Sequence, residues 1–169
     1  MGKETKTSLK NELAKGQGRR LICQVGAEKR MFEELIAPCG MNCALCSAYL
    51  AYAHQIPRKR GRIYHCQGCR PRNKKCAYLK KPCSGLSNGS IRFCYECKGF
   101  PCAHLKHLDT RYRKSYGISF IENLGVIRDN GLEQFLKCQR ERHTCPKCGD
   151  WVSVHNKKCF RCDAIVSLK

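Results

Sequence analysis

The sequence predicts a small metal-stapled α+β fold, with short helices threaded by treble-clef-like cysteine knuckles and a zinc ribbon at the C-terminal end. Three observations predict it. The 169-residue chain carries 16 cysteines, and ten of them form the C-x-x-C pairs Cys43/Cys46, Cys66/Cys69, Cys94/Cys97, Cys145/Cys148 and Cys159/Cys162. Each such turn aims two sulfurs at one point, and a tetrahedral ion needs two turns. Large apolar side chains are sparse, so an apolar core alone would be thin. No apolar run approaches the length of a membrane span.

Taken in order, residues 1–27 read as a basic flexible tail, with Gly16, Gly18 and Gly26 interrupting any long helix. Residues 28–142 read as a Cys-rich metal-binding domain with a helical C-terminal half. Glu28 to Ala37 has helical apolar spacing, and Pro38 stops it. Asn42 caps a helix running through Leu45, Ala48, Tyr49 and Tyr52, with Cys43 and Cys46 in its first turn. There the helix dipole favours thiolate. Pro57 to Pro82 and Cys83 to Pro101 are loop-like. Pro101 belongs to the first turn of a helix carrying Leu105, Leu108 and Tyr112, which places Cys102 at that helix's start. Two more helices, Ser119 to Asp129 and Leu132 to Arg142, open with capping boxes at Ser119/Glu122 and Asn130/Glu133. Residues 143–169 form a separable module, a strand at Trp151 to Val154 and a turn at Asn156 to Lys158 lying between two knuckles.

The C-terminal knuckles carry the firmest chemistry. Cys145, Cys148, Cys159 and Cys162 are assigned to one structural zinc, and four sulfurs on the ion leave no open position for catalysis. The central region supplies Cys39, Cys43, Cys46, Cys66, Cys69, Cys76, Cys83, Cys94, Cys97 and Cys102. One pairing joins Cys43 and Cys46 to Cys66 and Cys69. A second joins Cys94, Cys97 and Cys102 to Cys83 or Cys76. About three zincs would then be bound, and an iron–sulfur cluster is the alternative occupant of the central cysteines. The Cys39-x3-Cys43-x2-Cys46 spacing matches that of radical S-adenosylmethionine enzymes, but too little chain follows it for their βα barrel. Cys23 and Cys138 have no partner at metal spacing. His54, His65, His104 and His107 could each replace a sulfur, but each reads first as an ordinary surface or packing histidine.

Formal charge is +20, and three four-thiolate zinc sites would lower it only to about +14. No Asp or Glu occurs from Leu35 to Tyr95. That stretch carries Arg58, Lys59, Arg60, Arg62, Arg70, Arg72, Lys74, Lys75, Lys80 and Lys81, with Tyr52, Tyr64, Tyr78, Phe93 and Tyr95 close by in sequence. Cations among exposed rings suit single-stranded RNA, whose phosphates pair and whose bases stack. The opening Met1-Gly2-Lys3-Glu4-Thr5-Lys6 is charged, with no apolar stretch behind it. A secretory signal is therefore not expected, and reduced thiols in a cytoplasm are. Nucleophile elbow, phosphate loop and dinucleotide fingerprint are all missing, and no carboxylate pair serves acid–base work in the central region.

Cys39-Gly40-Met41-Asn42-Cys43-Ala44-Leu45-Cys46, Cys66-Gln67-Gly68-Cys69, Phe93-Cys94-Tyr95-Glu96-Cys97 and Phe100-Pro101-Cys102 follow one another in order. In these motifs, across roughly Ala37 to Arg142, the chain resembles an uncharacterised Cys-rich domain-of-unknown-function family of anaerobic prokaryotes. The resemblance implies metal binding, with zinc the expected ion, and carries no activity. This chain is more basic between Pro57 and Pro82 than that family. The combined expectation is a nonenzymatic zinc protein that binds RNA or a ribonucleoprotein surface such as the ribosome, without membrane or small-molecule substrate. An iron–sulfur redox protein and a zinc-stabilised protein–protein adaptor are the alternatives.

Overall fold

At Pro38–Met41 the backbone reverses sharply, and the later elements pack around that reversal. The computed structural model describes residues 33–72 and 83–167. Gly40 takes φ +84° within it, and Ile36 bridges back to Asn42. The helix expected as far as Ala37 therefore ends earlier, because Ile36 is committed to that bridge. Asn42 is the expected cap, its Oδ1 accepting from Ala44 N at 3.0 Å. What it caps is a 3-10 turn, Cys43–Leu45. Cys46 then returns to extended backbone and itself becomes the N-cap of helix α1, Ser47–Ala53. The single expected helix is thus broken at Cys46, which separates the two knuckle sulfurs from the helix body.

The described helices continue with α2 (Ser84–Ser87), α3 (Ala103–Tyr116) and α4 (Phe120–His143). Helix α3 starts one residue after Cys102, which is its N-cap, while Pro101 lies outside it. Gly117 ends α3 with φ +69° and donates to Arg113 O and Tyr112 O. Ser119 caps α4 by accepting from Glu122 N at 3.1 Å. The two helices expected beyond it are one element with a kink at Gly131 (φ +82°, ψ 165°). No described helix is long and apolar enough to cross a membrane.

Leu105 and Leu108 on α3 and Phe120, Leu124, Ile127 and Phe135 on α4 are buried, as the helical spacing of apolar residues predicts. Asp109 is buried with them. It accepts from Ser119 Oγ (2.9 Å) and Ile121 N (3.0 Å) and meets Arg113 Nε at 3.5 Å. A buried carboxylate is tolerable only when paired in this way. Sequence reading left this residue out, although its place on the Leu105/Leu108/Tyr112 stripe was a signal.

Among the described residues, pairing between strands consists of isolated bridges. In the C-terminal module these are Thr144 with Trp151, Val152 with Cys159, and Lys158 with Ile165. The strand expected at Trp151 to Val154 contributes only its first two residues, since a knuckle turn on either side cuts the ladder short. Val154 N donates to Leu45 O at 3.0 Å, His155 Nδ1 accepts from Ser47 N at 3.2 Å, and His54 pairs with Asp150 at 3.2 Å. The C-terminal knuckles are thereby tied to the Cys43–Cys46 turn.

Burial holds His155 below its ordinary value of 6.5, and its ring lies edge-on to Tyr112 and Tyr116. A histidine with a depressed folded-state pKa contributes stability that is present above the unfolded value and lost as pH falls. Thermal unfolding with zinc in excess is therefore expected to shift downward as pH drops below about 6.5. His155→Asn should flatten that dependence, and an unchanged slope would show that His155 does not set it.

Candidate metal centre

The two C-terminal knuckles repeat one backbone recipe. Cys145 N donates to Asp150 O (2.7 Å) and Cys159 N to Ala164 O (2.9 Å). Each turn places the residue after its second cysteine at positive φ, Gly149 at +75° and Asp163 at +58°. Glycine does this without strain, and Asp is among the few other residues that tolerate it. Val152 is fully buried between Cys145 and Cys159.

This geometry brings four sulfurs together. Cys145 and Cys162 lie 3.7 Å apart, Cys148 and Cys159 3.5 Å apart, and all four within 4.8 Å of one another. A tetrahedral ion about 2.3 Å from each sulfur requires sulfur–sulfur edges of about 3.8 Å. Cys145 and Cys159 are buried, while Cys148 and Cys162 are half-buried. Burial pushes the Cys145 thiol up, but the N–H groups of Cys148 and Lys147 and the neighbouring thiols bring it down to about 7. Asp150 N–H pulls Cys148 down, yet burial and the adjoining sulfurs leave it pushed up to about 12. Four crowded thiols sharing protons are a site that a divalent cation fits by displacing them.

The first two central pairs face each other. Cys66 N donates to Ala48 O at 3.0 Å, laying the second knuckle on α1, and Cys69 N donates to Cys43 Sγ at 3.4 Å. A hydrogen bond from the Cys43 thiol lowers Cys69 to about 7, with Arg72 and Arg70 helping, and the same bond raises Cys43. Burial raises Cys46 against the pull of the Tyr49 and Ala48 N–H groups, and Cys66 and Cys69 lie near it. Gly68, at φ +103°, packs so tightly that a Cβ there would meet Leu35 at 2.7 Å. Cys39 is buried close to Cys43.

Cys83, Cys94, Cys97 and Cys102 line one cavity. Cys76 lies outside the described residues, as do Cys23, Lys74, Lys75, Tyr78, Lys80 and Lys81. Cys138 sits half-buried on α4, where it accepts from Gln134 at 3.7 Å. Among the described residues, only the C-terminal four draw three or more ligand atoms within 4.8 Å. His65 is engaged with Ile56 O at 2.7 Å and His54 with Asp150, which matches their expected packing roles.

The cations divide into two sets. Arg70 sends Nε to Ile36 O (2.6 Å) and Nη2 to Arg92 O (2.7 Å), and its guanidinium lies over the Phe93 ring at 4.7 Å. Arg72 Nη1 donates to Cys66 Sγ at 3.7 Å. Arg58, Lys59, Arg60 and Arg62 are instead exposed on a tight turn closed by the Lys59–Ile63 bridge, with Gly61 at φ +76°. Tyr64 beside them is 64 % exposed and Tyr52 41 %. Phe93 is buried and stacked on Tyr95.

Residues 35–107 match a family model described as "Protein of unknown function (DUF3795)". The match takes in both central knuckle groups and ends inside α3. It is shorter than the expected Ala37 to Arg142 at its far end. No curated protein and no solved structure matches the chain.

Proposed function

We propose that this chain, whose residues 35–107 match a domain of unknown function, is a nonenzymatic, cytoplasmic RNA-binding protein. In this reading the C-terminal knuckles form a zinc ribbon and the Cys43/Cys46 and Cys66/Cys69 knuckles a treble-clef-like site, and both hold short loops in fixed shape. The observation that carries it is the exposed Arg58–Arg62 turn with Tyr64 beside it, in a stretch without carboxylates. A second feature supports it. A cavity of about 320 Å³ beside the turn is lined by Arg62, Tyr64 and Phe160, among others, with Lys158 paired to Asp163 at 2.8 Å on its wall. Rings and cations side by side are what stacked bases and phosphates require. Zinc suits the four-sulfur knuckles because it is content with tetrahedral thiolate and does no redox work there.

Titration of fluorescent oligouridine at several salt concentrations tests the reading. Binding is expected to weaken steeply with salt. Replacing Arg58, Lys59, Arg60 and Arg62 together by Ala should reduce the slope of log affinity against log salt by up to about 3. These side chains are exposed, so the melting temperature should hold. Salt-insensitive association, or a quadruple variant that binds as well as the parent, would favour the adaptor role instead.

A further inference from the structure

We infer that the cavity walled by Cys83, Cys94, Cys97 and Cys102 binds a [4Fe–4S] cluster. Three loops and a helix bring these cysteines together. Cys94 opens a 3-10 turn, Cys94–Glu96, and Cys97 closes it by donating its N–H to Cys94 O at 3.2 Å. Cys102 is the N-cap of α3, and Cys83 precedes α2. The fourteen-residue α3 directs its positive end at Cys102, where a thiolate is favoured.

Size distinguishes this site from the C-terminal one. The cavity these four cysteines help to line measures about 230 Å³, whereas a single water needs only about 10–15 Å³ by a like measure. A lone ion would draw its sulfurs in to edges of about 3.8 Å, which the C-terminal set achieves in this same structure. No three of the cavity's ligand atoms come within 4.8 Å of one another. Sulfurs not drawn together leave room for a polynuclear core, whose irons and sulfides themselves occupy the middle. Four cysteines are the full ligand set of such a cluster.

The lining agrees with that occupant. Leu86, Ile91, Phe100 and Leu105 form apolar walls, Gly85 and Gly99 leave room, and no carboxylate lines the cavity. A cluster with four thiolates carries net negative charge, which a chain of formal charge +20 accepts readily. Loading is a ligand exchange. For a preformed cluster each thiol releases its proton and its sulfur replaces a labile ligand on one iron, with no change of oxidation state. When the core is built from ferric iron and sulfide, the thiol reductant supplies the two electrons that reduce two of the four irons and is itself oxidised to a disulfide. Cys97 and Cys102 are exposed, which leaves one side of the cluster open to oxygen.

The test is anaerobic reconstitution of the full chain with ferric iron, sulfide and a thiol reductant, followed by metal analysis and Mössbauer spectroscopy. About four irons and four labile sulfides per chain are expected, with a brown colour that bleaches in air. Cys97→Ser and Cys102→Ser should each lose iron at least tenfold, with zinc at the C-terminal knuckles and Trp151 fluorescence unchanged. Cys138→Ser should keep the cluster. A colourless protein whose zinc content falls by one ion in the Cys97 and Cys102 variants would overturn the inference. So would iron that survives in both. Should a variant lose helix content, the parent protein decides, since a Mössbauer spectrum without a four-iron species rejects the site by itself.

Discussion

Replacing Cys159 by Ser is expected to unfold the C-terminal module while α3 and α4 persist. The module's buried side chains are few, chiefly Cys145, Val152 and Cys159. So small a core offsets little of the conformational entropy lost on ordering the module, and metal binding, on the order of 10–16 kcal/mol in small zinc modules, is its largest single stabilising contribution. Ser offers no thiolate, and Cys159 is fully buried, so water does not readily take its place. Trp151 is the single tryptophan of the chain, lies 9 % exposed and has the Arg140 guanidinium 4.4 Å over its ring. Its emission should shift to longer wavelength in the variant, and in the parent when a strong chelator is added under reducing conditions. Native emission in metal-free protein would show that the knuckles stand without the ion.

Gly40→Ala carries the second large effect, and its cost is steric rather than coordinative. At φ +84° a side chain is strained whatever the space, by about 1–2 kcal/mol. Space is also missing. The added Cβ would meet Leu124 Cγ and Phe120 O at 2.9 Å and Asn123 Cβ at 3.3 Å, and overpacking of this kind costs about 1–3 kcal/mol. Asn123 Nδ2 donates to Gly40 O at 2.9 Å, so the backbone cannot retreat without losing that bond. A loss of about 2–5 kcal/mol is expected from the two effects together, measured as the shift of a urea midpoint at constant slope. Gly117→Ala is the comparison. Gly117 has φ +69° with no atom within 4 Å of its would-be Cβ, so only the conformational part should be lost. Equal losses in the two variants would refute a packing role for Gly40.

What the sequence made legible follows from how local each signal is. The C-terminal site could be read from spacing because its knuckles are short turns that fix their own sulfurs. Ser119 could be read as a cap because its partner, Glu122 N, is three residues away. The helix break at Cys46 could not, since it depends on Cys43–Leu45 being held by Leu35 and Leu35 lying across from Gly68. Asp109 escaped notice because a carboxylate on an apolar stripe is legible only once Ser119 and Ile121 are seen to reach it. Arg70 looked like one cation among ten, and only tertiary structure reveals its bonds to Ile36 and Arg92. Cys83 was one of two candidates to join Cys94, Cys97 and Cys102, and it lines their cavity. Its rival, Cys76, falls outside the described residues.

The bond from Val154 N to Leu45 O, with the Ser47–His155 contact beside it, joins two places where sulfur is gathered. A rearrangement of the C-terminal knuckles would pull directly on the backbone of the Cys43–Cys46 turn. Loss of an ion from the tail of the chain is therefore expected to reach that turn as a mechanical slackening.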